Sequence, residues 1–105
     1  MNQLDLKGRK AIVTGGAAGI GLAIAQRLAH SGAGVTLWDR DQRALAEAAH
    51  LFTGDPHVEA VDVSDDASVQ RAVQSTLGKM QRIDILVCSA GITVVPFVRL
   101  YRNRA

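Results

Sequence analysis

The sequence predicts an α/β fold built as a doubly wound parallel sheet, and three observations carry that expectation. Four short apolar runs rich in β-branched residues recur along the chain: Ala11 to Val13, Val35 to Trp38, Val58 to Val61 and Ile85 to Cys88. Between successive runs lie segments whose apolar residues follow a helical period. Directly behind the first run stands TGGAAGIG, Thr14 to Gly21, four glycines in eight residues. Near-continuous apolar strands alternating with helices imply parallel strands covered on both faces and joined by right-handed crossovers.

Each element has its own signal. After the first strand, Ile20, Ile24 and Leu28 recur at i, i+4 and i+8, and Ser31-Gly32 offers a helix stop. After the second, Asp41 is placed to cap a helix whose apolar stripe is Leu45, Ala48, Ala49 and Phe52, ended by Gly54-Asp55-Pro56. The third helix has Ser64 or Asp65 as its cap, Asp65 and Asp66 at its positive end, and Val69, Val73, Leu77 and Met80 on one face. Beyond Gly91 the alternation stops. ITVVPFVRLYRNRA begins as a strand or loop, Pro96 interrupts it, and no further helix follows. The expected organisation is therefore a sheet truncated after about four strands over residues 1–92 and a divergent basic tail over 93–105.

Composition narrows the function. With 48% hydrophobic and 21% charged residues and no repeat, the 105 residues suit one folded domain. The formal charge of +2 is concentrated in the tail: residues 1–98 hold nine Lys and Arg against ten Asp and Glu, while Arg99, Arg102 and Arg104 stand without an acid. A nearly neutral body argues against a nucleic-acid surface. Charges in MNQLDLKGRK and the lack of a long apolar run argue against a signal peptide or a membrane span, so a cytoplasmic protein is expected. The lone Cys88 forms no internal disulfide and reads as a buried strand residue, and His30, His50 and His57 lack metal-ligand spacing and read as surface residues.

A tight turn from a parallel strand into a helix presents amide N–H groups that have no intrahelical partner, and these attract anions. Glycine lets the backbone approach a diphosphate, and Gly21 would let the helix press on the strand. The spacing is Gly15-x-x-x-Gly19-x-Gly21 rather than the general G-x-G-x-x-G. Asp39 closes the second strand 18 positions after Gly21, near the offset expected of a ribose-binding acid.

These motifs, with Asp62-Val63 behind the third strand and CSAG, Cys88 to Gly91, behind the fourth, resemble the classical short-chain dehydrogenase/reductase family over about residues 6–92. The resemblance implies a Rossmann-type sheet and a nicotinamide dinucleotide cofactor. It places Gly15, Gly19, Ile20 and Gly21 at the pyrophosphate, Asp39 at the adenosine ribose, Asp62 and Val63 at adenine, and Ala90 and Gly91 in the cofactor pocket. The fourth motif departs from the family's Asn-Asn-Ala-Gly, since Cys88 and Ser89 replace both asparagines. A carboxylate at Asp39 would face the extra phosphate of NADP, and like charges about 4 Å apart repel by about 4 kcal/mol at an effective dielectric of 20. NAD is therefore expected over NADP, although Arg40 offers a counter-charge; Ala18 stands where family members that use NADP often carry a basic residue.

The family's catalytic Ser and Tyr-x-x-x-Lys cannot be assigned. Tyr101 is followed by Arg102, Asn103, Arg104 and Ala105, so alanine occupies the lysine position. The leading expectation is the cofactor-binding portion of an oxidoreductase acting on secondary alcohols or carbonyls, without turnover in this chain. A truncated reading frame or a frameshift after Gly91 would account for the change in pattern. The rival expectations are a non-enzymatic nucleotide- or partner-binding module and a gene remnant. With strand order 3-2-1-4, Ile85 to Cys88 would form an open outer edge inviting self-association, which Leu86→Lys would reduce.

Overall fold

The computed structural model describes residues 5–89 and the backbone of residues 93–96. In chain order the elements are β1 (Lys10–Thr14), α1 (Gly19–His30), β2 (Gly34–Asp39), α2 (Gln42–Ala49), β3 (His57–Ala60), α3 (Asp66–Met80), β4 (Ile85–Cys88) and β5 (Thr93–Pro96). They form one sheet in the order β3-β2-β1-β4-β5. The first four strands are mutually parallel, with Ile12 opposite Thr36 on one side and Leu86 on the other.

Two layers of side chains fix this arrangement. Successive strand residues point to opposite faces, so Val13 joins Val35, Leu37 and Val87 under Ala25 of α1 and Leu45 and Ala48 of α2. Its neighbour Ile12 joins Trp38, Val61 and Ile83 under Ala72 and Val73 of α3. Asp41 and Asp65 cap α2 and α3, accepting from the N–H groups of Ala44 at 3.0 Å and Ala67 at 3.1 Å.

Two expectations change. Of the stripe expected on α1, Ile24 and Leu28 pack against the first core layer but Ile20 does not, and the fully buried residues of the helix are Gly21 and Ala25. Small residues let the helix lie close to the sheet, which turns Ile20 outward, 59% exposed. Nor is β4 the outer strand: β5 pairs with it antiparallel, Leu86 opposite Val95 and Ile85 opposite Pro96. A strand forms despite Pro96 because the proline stands at its end, on an edge, where a missing donor is tolerated. Leu86 packs beneath the α3 layer, so Leu86→Lys would place a charge in the core rather than blunt an edge.

The N-terminal ends of β1 and β4 are clasped by Asp84. Its Oδ2 accepts from the Lys10 N–H at 2.8 Å, the Lys10 carbonyl accepts from the Asp84 N–H at 2.8 Å, and Arg82 donates to Oδ1. Burial alone would raise the carboxyl, but Arg82, the Lys10 amide and the charge of Arg9 outweigh it and hold Asp84 below its ordinary value of 3.8. A carboxyl depressed by folding stabilises the fold fully above its ordinary value and loses that contribution as pH falls through the lowered one. Asp84→Asn is expected to cost about 2 kcal/mol at neutral pH, on the order of 10 °C in thermal midpoint. Melting curves of the two proteins should converge as the pH is taken below 3.8; a pH-independent gap would contradict the assignment.

Candidate functional site

The C-terminal ends of β1, β2 and β4 and the segment after β3 share one rim of the sheet, and the glycine segment crosses it. Gly15 and Gly19 adopt left-handed φ of 64° and 58°, a region that side chains other than glycine enter at a cost of about 1–2 kcal/mol. Between them the chain curls against the end of β2. Gly16 N–H donates to the Trp38 carbonyl at 3.1 Å, and a Cβ at Gly16 would stand 2.8 Å from the Val13 carbonyl oxygen.

The other side of the turn leans on β4. A Cβ on Gly15 would collide with the Ser89 hydroxyl, and one on Gly21 would collide with the Gly15 carbonyl and stand 3.2 Å from the Ser89 Cβ. Gly15, Gly21 and Ser89 thus meet where the first turn of α1 passes the end of β4. Below them Thr14 Oγ1 donates to the Val87 carbonyl at 3.3 Å. Ser89, which replaces one of the family's asparagines, thus packs its side chain against the glycine turn. Cys88, expected to be buried, is partly exposed beside it.

α1 is the helix whose N-terminus is left open. Its cap residue is Ala18, which offers no side-chain oxygen, and its first turn carries no acid. α2 and α3 are both capped by aspartates. The first amides of α1 therefore have no side-chain partner within the helix, as an incoming anion requires. A turn with no room for a Cβ at Gly15, Gly16 or Gly21 and a helix start with neither a side-chain cap nor an acid in its first turn together fit a dinucleotide diphosphate.

Asp39 lies alongside. Its Oδ2 accepts from the Ala17 N–H at 3.2 Å and its Oδ1 from the Asp41 N–H at 3.1 Å. The Asp39 carbonyl accepts from the Val61 N–H at 2.9 Å and draws the end of β3 toward the rim. Asp62 follows, its Oδ1 accepting from both the hydroxyl and the N–H of Ser64, at 2.6 and 3.0 Å. Those two bonds hold the Asp62 carboxyl below the usual carboxylate range; slight desolvation opposes them and the charge of Arg40 adds to them. Val63 is 58% exposed, as uncovered as Ile20, so both expected apolar contact residues stand available to a ligand. Ala90 and Gly91 lie outside the described residues, as does the 97–105 part of the tail.

A separate cleft of about 210 Å³, lined by Phe52, His57, Lys79 and Met80 among others, opens by the C-terminal ends of α1 and α3 and contains no residue of the glycine segment. His57 there is partly buried rather than superficial, its Nε2 3.5 Å from Glu59 Oε1. Among the described residues no His, Cys, Asp and Glu group has the makings of a metal site, and no helix is long and apolar enough to cross a membrane.

The pattern of the short chain dehydrogenase family matches residues 9–104. A 2-dehydro-3-deoxy-L-rhamnonate dehydrogenase (NAD(+)) of Sphingomonas sp. strain SKA58 is 48% identical over 86 residues, covering 82% of this chain and 34% of its own length. A 3-oxoacyl-acyl-carrier-protein reductase of Chlamydia pneumoniae is 41% identical over 93 residues, covering 86% and 38%. Among solved structures, a 3-ketoacyl-(acyl-carrier-protein) reductase from Brucella melitensis complexed with NADH superposes with a TM-score of 0.75 at 36% identity, over 78% of this chain and 34% of that one. The chain spans about a third of the length of these relatives.

Proposed function

Because the chain belongs to the short-chain dehydrogenase family, we propose that its open rim binds a nicotinamide dinucleotide, NAD in preference to NADP. The observation that carries the reading is the uncapped start of α1 behind a turn at which Gly15 and Gly21 have no room for a side chain. In this reading the amides from Ala18 to Gly21 meet the diphosphate, with Gly15, Gly19, Ile20 and Gly21 shaping the cradle. Asp39 accepts from the adenosine ribose, Asp62 and Val63 border the adenine, and Ala90 and Gly91 belong to the same pocket. When bound, such a cofactor supplies a hydride donor or acceptor for a secondary alcohol or carbonyl.

Preference for NAD is supported by the charges around the ribose position. Two carboxylates, Asp39 and Asp62, stand on the rim, and the positive field of Arg40 acts on Asp62. A 2′-phosphate beside Asp39 would meet like charge. NAD is expected to bind at least about tenfold more tightly than NADP, a difference of about 1.4 kcal/mol. Isothermal titration of the 105-residue chain with each nucleotide decides it; equal or tighter NADP binding would reject the preference. A cytoplasmic location belongs to the same proposal, supported by a single cysteine in a nucleotide-binding fold. Self-association, expected at β4, belongs instead to the outer side of β5, the strand that flanks it.

A further inference from the structure

Asp39 does more in this structure than end a strand beside a ribose site. Both carboxylate oxygens already accept backbone hydrogen bonds, and the two donors come from different parts of the chain. Oδ1 is tied to the Asp41 N–H, two residues on, which fixes the carboxylate's rotation. Oδ2 reaches 22 positions back to the Ala17 N–H, in the middle of the glycine segment. Ala17 is 6% exposed, so water is poorly placed to replace that bond if it is lost. The neighbouring Gly16 N–H is held by the Trp38 carbonyl, a main-chain bond that no substitution at position 39 removes. Asp39 is thus the side chain that pins the second of two consecutive turn amides to the end of β2.

We infer that Asp39 is the latch of the glycine turn: its carboxylate assembles the diphosphate cradle before any cofactor arrives. This deepens the dinucleotide reading and rests on it for the ligand. An ionised carboxylate offers about four lone-pair positions; the two backbone donors use two, which leaves two for ribose hydroxyls. The same group therefore sets the shape of the diphosphate site and receives the ribose. A residue acting on the ribose alone would give a different outcome: its loss would penalise NAD and relieve NADP. Loss of a latch penalises both, because both carry the same diphosphate.

Asn is the informative replacement. It keeps the size of Asp39 and hydrogen-bonds a ribose hydroxyl, but its single oxygen serves only one of the two backbone donors and its NH2 confronts the other. The test is amide hydrogen exchange of the cofactor-free chain, followed by NMR, in the parent protein, Asp39→Asn and Asp39→Ala, together with NAD and NADP titrations. In the parent the Ala17 amide is expected to exchange at least about tenfold more slowly than in the variants, the scale of a lost hydrogen bond to a charged group. Amides of Ala72 and Val73 in α3 should keep their protection, which separates loosening of the turn from loss of the fold. NAD and NADP affinities should both fall, NAD by tenfold or more. Should Asp39→Ala fail to fold, Asp39→Asn decides. Equal Ala17 exchange in parent and Asn variant, or stronger NADP binding by a variant with Ala17 protection intact, would overturn the latch. Asp39-dependent protection of Ala17 without nucleotide binding by the parent would uphold the latch and reject the dinucleotide reading.

Discussion

Replacing Gly21 with alanine is expected to abolish dinucleotide binding and to lower stability by about 3 kcal/mol, on the order of 15 °C in thermal midpoint. The added Cβ would overlap the carbonyl of Gly15 and press on Ser89. Neither obstacle is the end of a flexible side chain. The Gly15 carbonyl belongs to a turn held by Gly16 and Ala17 on the β2 side, so relief requires α1 to lift from the sheet, taking Ala25 out of the first core layer. Gly19→Ala provides the contrast. A Cβ at Gly19 meets nothing within 4 Å, and the penalty is the left-handed φ of 58°, about 1 kcal/mol. That variant should stay folded while losing affinity, because the turn must leave its left-handed conformation or bear strain where the diphosphate is received. Melting curves and nucleotide titrations of the two variants check this pair; a Gly21→Ala protein with unchanged midpoint and affinity would refute the close approach of α1 to the turn.

The second large effect belongs to Trp38. Trp38→Ala is expected to cost about 4 kcal/mol, enough to bring a domain at the low end of ordinary stability to within about 1 kcal/mol of unfolding. The indole is 3% exposed in the α3 layer, and its Nε1–H donates at 3.2 Å to the Thr76 hydroxyl, itself fully buried on α3. Alanine would remove both the ring that fills the layer and the partner of the Thr76 oxygen. Trp38→Phe keeps most of the volume and forfeits the hydrogen bond, for a loss of about 1–2 kcal/mol. Urea titrations followed by circular dichroism distinguish the three proteins, and since Trp38 is the single tryptophan, its fluorescence reports α3 docking in the parent. An alanine variant within a few tenths of a kcal/mol of the parent would show that the α3 layer does not depend on this residue.

Much of this architecture is legible in residue order. The β-branched runs mark the parallel strands, and Asp41 and Asp65 announce their helices because a short side-chain acceptor beside free amides has few other uses. The order 3-2-1-4 is the one that the Rossmann-type resemblance implies; right-handed crossovers alone also permit 2-1-3-4. What escaped detection depends on contacts between distant segments. The apolar stripe of α1 shows Ile24 and Leu28 but not the closest contact, through Gly21 and Ala25, since small residues bury through closeness rather than bulk. The segment of β5 stayed open between strand and loop because of Pro96, whose effect depends on whether it stands inside a ladder or at its margin. The meeting of Ser89 with Gly15 requires the β1–β4 register, and the reach of Asp39 to Ala17 requires the curl of the turn. Neither is encoded in local spacing.

The position of β1 also bears on the order in which the molecule is made. Among the described strands β1 comes first in the chain, yet it lies in the middle of the sheet, and its second neighbour, β4, comes fourth. The clasp between Lys10 and Asp84 spans 74 positions. At a translation speed of about 5–20 residues per second, Ala11 to Val13 wait several seconds with one flank unpaired. The nascent chain therefore holds this central strand half-covered until nearly all of the described sheet has left the ribosome, and that interval is when a neighbouring nascent chain or a chaperone has access to it.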